Sequence, residues 1–403
     1  MYELIGVGIS FLVLGILISK KIEFGIALLA ATGILLITNE PTMRSLVWMS
    51  EILSERETIN LVLVILLIGL IGYIYRDSGQ VRRIILELQN ALPDRRMVIA
   101  SIPAIFGLLP MPGGALVSAP MIDQEGTDLG IDGVHKAFLN WWFRHAWFSI
   151  YPLDMGLIFA ASIAGVSIYH IALFNLPIFV IHVMAGITFG LRGIEVESVE
   201  QNGRVNIFFL IYDFLPIISA LMLNILLGIP LYICLMLAVI ILLLQNHSHY
   251  TRKKIPSLMK DGLSTKLFMA ALGIMLFKGT IERTEALIPV VDILEGQVPL
   301  VFVVLLGGFL VGLMIGHLPA AVGISFPILV PMIPNMNFQI AAAMFLFVFL
   351  GYLISPIHLC IVLTLEYYKA DMKRFYIRAA GAILSLIATV ILWLLFTGTF
   401  FLF

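Results

Sequence analysis

Arg144, His145 and Asp154 fall inside the apolar stretch 135–165, and two more histidines, His317 and His358, sit in apolar surroundings in the second half of the chain. These are residue types that can do chemistry in a membrane. A guanidinium can hold a carboxylate or phosphate through two parallel hydrogen bonds. An unpaired arginine deep in a span would cost roughly 2.5–3.5 kcal/mol on insertion scales, so Arg144 requires a partner. Three are open to it: an anionic substrate, Asp154, or the interface, reached by snorkelling. Asp154 follows Pro152 by two residues and fits either an N-terminal cap or a carboxylate that carries the coupling ion. His145, His317 and His358 fit either a proton carrier near neutral pH or a hydrogen-bonded packing residue.

All of these residues lie at or beside helix breakers. The run Gly107-Leu-Leu-Pro-Met-Pro-Gly-Gly-Ala-Leu-Val-Ser-Ala-Pro-Met-Ile122 is echoed by Gly316-His-Leu-Pro-Ala-Ala-Val-Gly-Ile-Ser-Phe-Pro327, with Gly316 following Gly107 and Pro319 following Pro110 by the same 209 residues. After each run comes an apolar segment broken at its middle, Phe148-Ser-Ile-Tyr-Pro-Leu-Asp154 and Gly351-Tyr-Leu-Ile-Ser-Pro-Ile-His358. A break at membrane depth leaves the next half-helix with unpaired N–H groups and the positive end of its dipole, where anions bind readily. Four such N-termini are expected, near Gly113-Gly114, Tyr151-Pro152, Gly323-Ile324-Ser325 and Ser355-Pro356. The competing reading is four ordinary kinks between packed helices. The expected substrate-binding set is therefore Pro112, Gly113, Gly114, Arg144, Ser149, Tyr151, Gly323, Ser325 and Ser355. Asp154, His145, His317 and His358 are the candidates for coupling H+ or Na+, with no metal or other cofactor expected.

Other candidates carry less. The acidic run 123–132 has oxygen ligands without EF-hand spacing and reads as a solvated loop. His247-Ser-His249 lacks further ligands at metal spacing. Trp141, Trp142 and Trp147 read as packing aromatics near the interface. Cys234 and Cys360 both fall in apolar helices and form neither a disulfide framework nor a CxxC site. HExxH, GxSxG and Walker motifs are absent from the sequence, so hydrolysis and ATP-driven pumping have no residues to carry them, and no enzyme is expected.

The elements that must position these residues are membrane helices. Hydrophobic residues make up 61% of the 403 positions and charged residues 12%, too little polar surface for a soluble globule of this size. A net charge of −1 without a basic tail argues against nucleic acid as a partner. The N-terminal apolar run has no basic start or cleavage site and reads as a retained helix. Apolar spans are expected near 4–20, 22–39, 58–76, 135–165 and 168–191, and again near 206–227, 229–245, 264–279, 338–368 and 379–402. Between the third and fourth span of each half lies a breaker-rich stretch, 97–122 and 299–334, read as a re-entrant hairpin. The runs 77–92 and 280–294 read as interfacial helices.

An odd number of crossings per half inverts the second half relative to the first. This topology puts nineteen lysines and arginines on one face and only Arg44, Arg56, Lys278 and Arg283 on the other, with Arg144 inside a span, as the positive-inside rule requires. The expected fold is an all-α polytopic membrane protein of two inverted repeats, each of five transmembrane helices and one re-entrant hairpin. Residues 1–192 form the first repeat (hairpin 97–122, broken helix 135–165), 193–205 a cytoplasmic linker, and 206–403 the second repeat (hairpin 299–334, broken helix 338–368). Both termini are expected outside the cytoplasm, in the plasma or inner membrane. Paired interrupted segments point to a secondary transporter with its site between the repeats. A channel or a translocase of lipid-like substrates is the alternative.

The chain resembles, through its two hairpins and the broken helices around Pro152 and Pro356, the ion transporter superfamily of dicarboxylate, citrate and gluconate permeases. Within that group it is most similar to an uncharacterised prokaryotic membrane family. The resemblance implies a homodimer in which a scaffold holds the dimer while hairpins and broken helices move as an elevator, carrying a small anionic solute. The Ser-Asn-Thr tip motifs of the sodium-coupled dicarboxylate carriers are replaced here by Pro112-Gly113-Gly114 and Val322-Gly323-Ile324.

Overall fold

A computed structural model describes residues 2–20, 22–40, 42–109, 114–195, 207–251, 254–284, 287 and 298–403. Among the described residues there are twenty α-helices and no strand. The first half contains α1 (Tyr2–Ser19), α2 (Phe24–Asn39), α3 (Met43–Ser54), α4 (Arg56–Asp77), α5 (Gln80–Ala91), α6 (Arg95–Leu108), α7 (Gly114–Asp128), α8 (Gly133–His145), α9 (Met155–Ala164), α10 (Ile168–Phe174) and α11 (Leu176–Ala185). The second contains α12 (Ile207–Leu227), α13 (Leu231–Gln245), α14 (Ile255–Gly262), α15 (Thr265–Thr284), α16 (Leu300–Ile315), α17 (Leu318–Leu329), α18 (Phe338–Ile354), α19 (Leu359–Tyr368) and α20 (Met372–Phe396).

Local signals set the helix starts. Asp94, Asp132, Asp154, Asn337 and Asp371 each accept a hydrogen bond from a first-turn backbone N–H of the helix that follows. Among the described residues, four helical stretches are long and apolar enough to cross a membrane: Arg56–Asp77, Phe208–Leu227, Phe338–Tyr368 and Met372–Phe396. The number rises to six if each of two bent helix pairs is one span. The remaining apolar helices are shorter than the sequence suggests; α2, with 16 residues, is about 24 Å long at 1.5 Å per residue. Large apolar side chains point outward, among them Met314 and Phe396, a surface that suits lipid and would be a liability in water. The chain is all-α and largely apolar, consistent with a multi-pass membrane protein.

The packing follows a crossed pattern. Helices α1 and α2 pack together, α2 lies against α15, and α3 also rests on α15; α12 and α13 pack together, α13 lies against α4, and α14 also rests on α4. Helices α6 and α7 pack on each other and on α8, as α16 and α17 do on each other and on α18. Then the halves exchange partners: α7 lies against α19, and α17 against α9. Glycines permit the closest crossings. A Cβ on Gly351 would overlap the Phe309 carbonyl of α16, and one on Gly107 would overlap the Arg144 carbonyl of α8.

Three expectations change. The second hairpin turns at Gly316-His317 and not at Val322–Ser325. Gly316 ends α16 with φ 61°, a left-handed conformation that glycine adopts without strain, and Pro319 occupies the first turn of α17. Gly323 and Ser325 therefore lie inside α17 and not at a half-helix N-terminus. The run 280–294 is not an interfacial helix at its start, because 280–284 continue α15; most of its remainder lies outside the described residues. The acidic run 123–132 is helical to Asp128, with Asp123 2.7 Å from Lys136 Nζ and Asp132 capping α8. By contrast α5 bears out the amphipathic reading of 77–92, burying Val81, Ile84 and Ile85 and exposing Arg82.

Candidate functional site

The two broken helices meet. Helix α8 ends in Arg144 and His145, where the outward-facing carbonyls of a last turn favour cations. The chain then passes through one turn of 3-10 helix, Ala146–Ser149, and an extended stretch before α9 starts at Met155. The Asp154 carboxylate accepts from Leu157 N at 3.0 Å, so its cap role is realised. Across from it, α18 ends at Ile354 and α19 starts after His358, so both half-helices begin about three residues later than the prolines alone suggest. The Ser355 hydroxyl donates to the Leu313 carbonyl at 2.6 Å, fastening the second break to the end of α16.

At the junction Arg144 is 5% exposed, so it does not snorkel to the surface. Its guanidinium lies against Gly114 at the start of α7, where a Cβ would overlap Nη1, and it hydrogen-bonds Cys360. His145 is fully buried: Nδ1 lies 2.6 Å from the Trp141 carbonyl, to which it must donate, which makes Nε2 the acceptor for the Tyr352 hydroxyl at 3.0 Å. The His358 ring stands edge-on to His145, with centroids 4.7 Å apart, and packs on Tyr352 at 4.1 Å. Beneath this cluster the Ser118 hydroxyl donates to Asn140 Oδ1 at 2.6 Å, and Asn140 Nδ2 donates to the Ala115 carbonyl and to Thr364 Oγ1. These bonds tie α7, α8 and α19 into one buried unit.

The other expected residues fall into three groups. Gly114, Arg144, His145 and His358 are brought together, and Gly316 abuts the backbone of Ile357 and His358, which carries the exposed His317 to the edge of the same break. Ser149 and Ser325 spend their hydroxyls on the Ala146 and Ala321 carbonyls of their own turns, and Gly323 faces Ile274 of α15 and Phe24. Tyr151 is buried, with no hydrogen-bond partner for its hydroxyl among the described residues. Pro112 and Gly113 lie outside the described residues. Tyr352 and Asn140 were not singled out in the sequence, and Cys360 was read only as a cysteine in an apolar helix. The spacing His358-x-Cys360 and the placement of Asn140 one helical turn before Arg144 were the available signals. Trp141 and Trp142 are fully buried in packing with Phe138 and Phe375, and His249 Nε2 pairs with Asp77 at 3.0 Å.

The helices and the junction define a class: an all-α, largely apolar chain with membrane-length helices, in which two interrupted helices and the start of a third converge on buried polar groups. A family model described as "Protein of unknown function (DUF401)" matches residues 6–398, and the chain belongs to that family. No curated protein matches it.

Proposed function

We propose that this protein is a secondary active transporter, not an enzyme, that moves a small anionic solute across the membrane by alternating access, coupled to H+ or Na+. The observation that carries this reading is the convergence of both helix breaks and the start of α7 on Arg144. A buried guanidinium beside backbone N-termini suits a carboxylate or oxyanion. The crossed packing supports two inverted repeats: each half lays its second and third helices on a long helix of the other, and the second arm of each hairpin lies against the other half's broken helix. In this reading the chain relates to the ion transporter superfamily. The α6–α9 and α16–α19 regions form the moving part of an elevator, the remaining helices hold a homodimer, and both termini lie outside the cytoplasm.

Reconstituted into proteoliposomes, the protein should show saturable uptake of a radiolabelled carboxylate or oxyanion that collapses when the proton and sodium gradients are dissipated. Unsaturable conductance would replace the reading with a channel, and movement of labelled lipid alone would replace it with a lipid translocase. Single cysteines at Gly130 and Lys373 should label from the cytoplasmic side and one at Asn335 from outside. Labelling of Gly130 and Arg83 from opposite sides would make the first hairpin a crossing and remove the inverted repeat.

A further inference from the structure

His145, His358 and Cys360 bring one ligand atom each to within 4.8 Å of one another at the junction of α8 and α19. Two imidazoles and a thiol form a mixed set, of borderline and soft ligands, that suits zinc or copper. The surroundings are those of metal ligands. His145 donates its Nδ1–H to a backbone carbonyl, the outer contact that fixes the ring, and Nε2 accepts from the Tyr352 hydroxyl, a bond that a bound metal would replace. His358 is 1% exposed, and neither ring nitrogen completes a hydrogen bond of normal geometry among the described residues, although the Leu353 and Tyr352 carbonyls lie near it. A buried imidazole without a completed bond calls for an explanation. The guanidinium of Arg144 lies beside Cys360, and a metal ion bound there would displace the thiol proton.

We propose that His145 Nε2, a ring nitrogen of His358 and Cys360 Sγ form a three-coordinate site for a soft, singly charged metal ion, Cu+. Charge and ligand number select the ion. One thiolate neutralises Cu+, whereas Zn2+ would leave a net positive centre beside Arg144 and would require a fourth ligand to complete a tetrahedron. Three ligand atoms around one ion stand roughly 3.5 Å apart at the metal–ligand lengths of such sites. The closure needed is therefore about 1 Å, within reach of a His358 side chain that no hydrogen bond holds. The bound ion joins α8 to α19 across the two halves. That binding stands on the geometry alone; its consequence, arrest of transport, rests on the transport reading.

Calorimetric titration of the purified protein with Ag+, a redox-stable stand-in for Cu+, tests the site in a Cys234→Ser background that leaves Cys360 as the only thiol. One Ag+ should bind per chain, with Kd raised at least tenfold in His358→Gln and in His145→Gln, and Ag+ should protect Cys360 from maleimide in the unsubstituted site. Equal affinity in both histidine variants would reduce the site to a lone thiol and overturn the proposal, as would tighter retention of Zn2+ than of Ag+. The comparison of Ag+ with Zn2+ needs no variant at the site, so the test survives if a histidine variant fails to fold. Binding without inhibition of uptake would remove the arrest and leave the site; inhibition by Ag+ that persists in Cys360→Ser would place the effect elsewhere.

Discussion

The two helix breaks share a backbone plan and differ in charge. At the first, Arg144 and Asp154 flank the interruption; at the second, the corresponding stretch offers Ser355, Pro356 and His358 and no ionised side chain. Ser355 serves as a tie to α16, whereas Asp154 caps α9 and Arg144 reaches the start of α7. The two halves thus present similar helix ends, and only the first break has charged side chains beside it. The first break should govern binding and coupling, and the second should govern shape.

The largest effect is expected at Arg144. Hydrogen bonds to a charged group contribute about 1.5–3 kcal/mol, so Arg144→Gln should weaken anion binding roughly tenfold to a hundredfold. Arg144→Lys should recover part of it, because an ammonium lacks the planar fork. Ser355→Ala, at the other break, should leave anion affinity within about twofold, since losing one neutral hydrogen bond costs about 1 kcal/mol of stability and no charge. Equilibrium binding of a labelled anion to both variants checks the contrast; equal losses would mean that the breaks act alike.

A second pair separates site from packing. Gly114→Val puts its side chain into the guanidinium of Arg144, the far end of a flexible chain, so the protein should fold and lose uptake. Gly323→Val meets Ile274 and Phe24 instead. Overpacking of that kind costs about 1–3 kcal/mol and should lower the melting temperature, with binding retained by the protein that folds. Thermal denaturation and binding measured on the same samples distinguish the two. A Gly114→Val protein that binds anion normally would remove the start of α7 from the site.

How far the sequence reaches is seen in the same residues. The Gly-x-Leu-Pro echo marked the second hairpin turn, at Gly316-His317, because glycine and proline act through the local backbone; the matching stretch 110–113 lies outside the described residues. The expected tip at Val322–Ser325 was misplaced because Gly323 looked like a breaker, when its missing side chain serves a close contact with α15 and Phe24. The aspartate caps were legible for the same local reason. The partners of the junction were not: His145 meets Tyr352 across 207 positions and Asn140 meets Thr364 across 224, pairings that exist only once the halves exchange helices. Helices α3 and α14 were missed because each is short, with 12 and 8 residues.

The smallest effect on stability and the most specific effect on mechanism are expected together at Asp154. Asparagine caps a helix about as well as aspartate, so Asp154→Asn should keep the bond from Leu157 N and lose only the interaction of the charge with the helix dipole, about 0.3–1 kcal/mol. The melting temperature should barely move, and anion binding and solute exchange should remain measurable. If the carboxylate also carries the coupling ion, accumulation against a gradient should disappear, because a neutral amide cannot cycle between charge states. Asp154→Ala controls for the cap: it removes the hydrogen bond as well, and should lower stability by about 1 kcal/mol while showing the same uncoupling. Accumulation that survives in Asp154→Asn would leave this residue as a cap alone and would move the search for the coupling group to His145, His317 and His358.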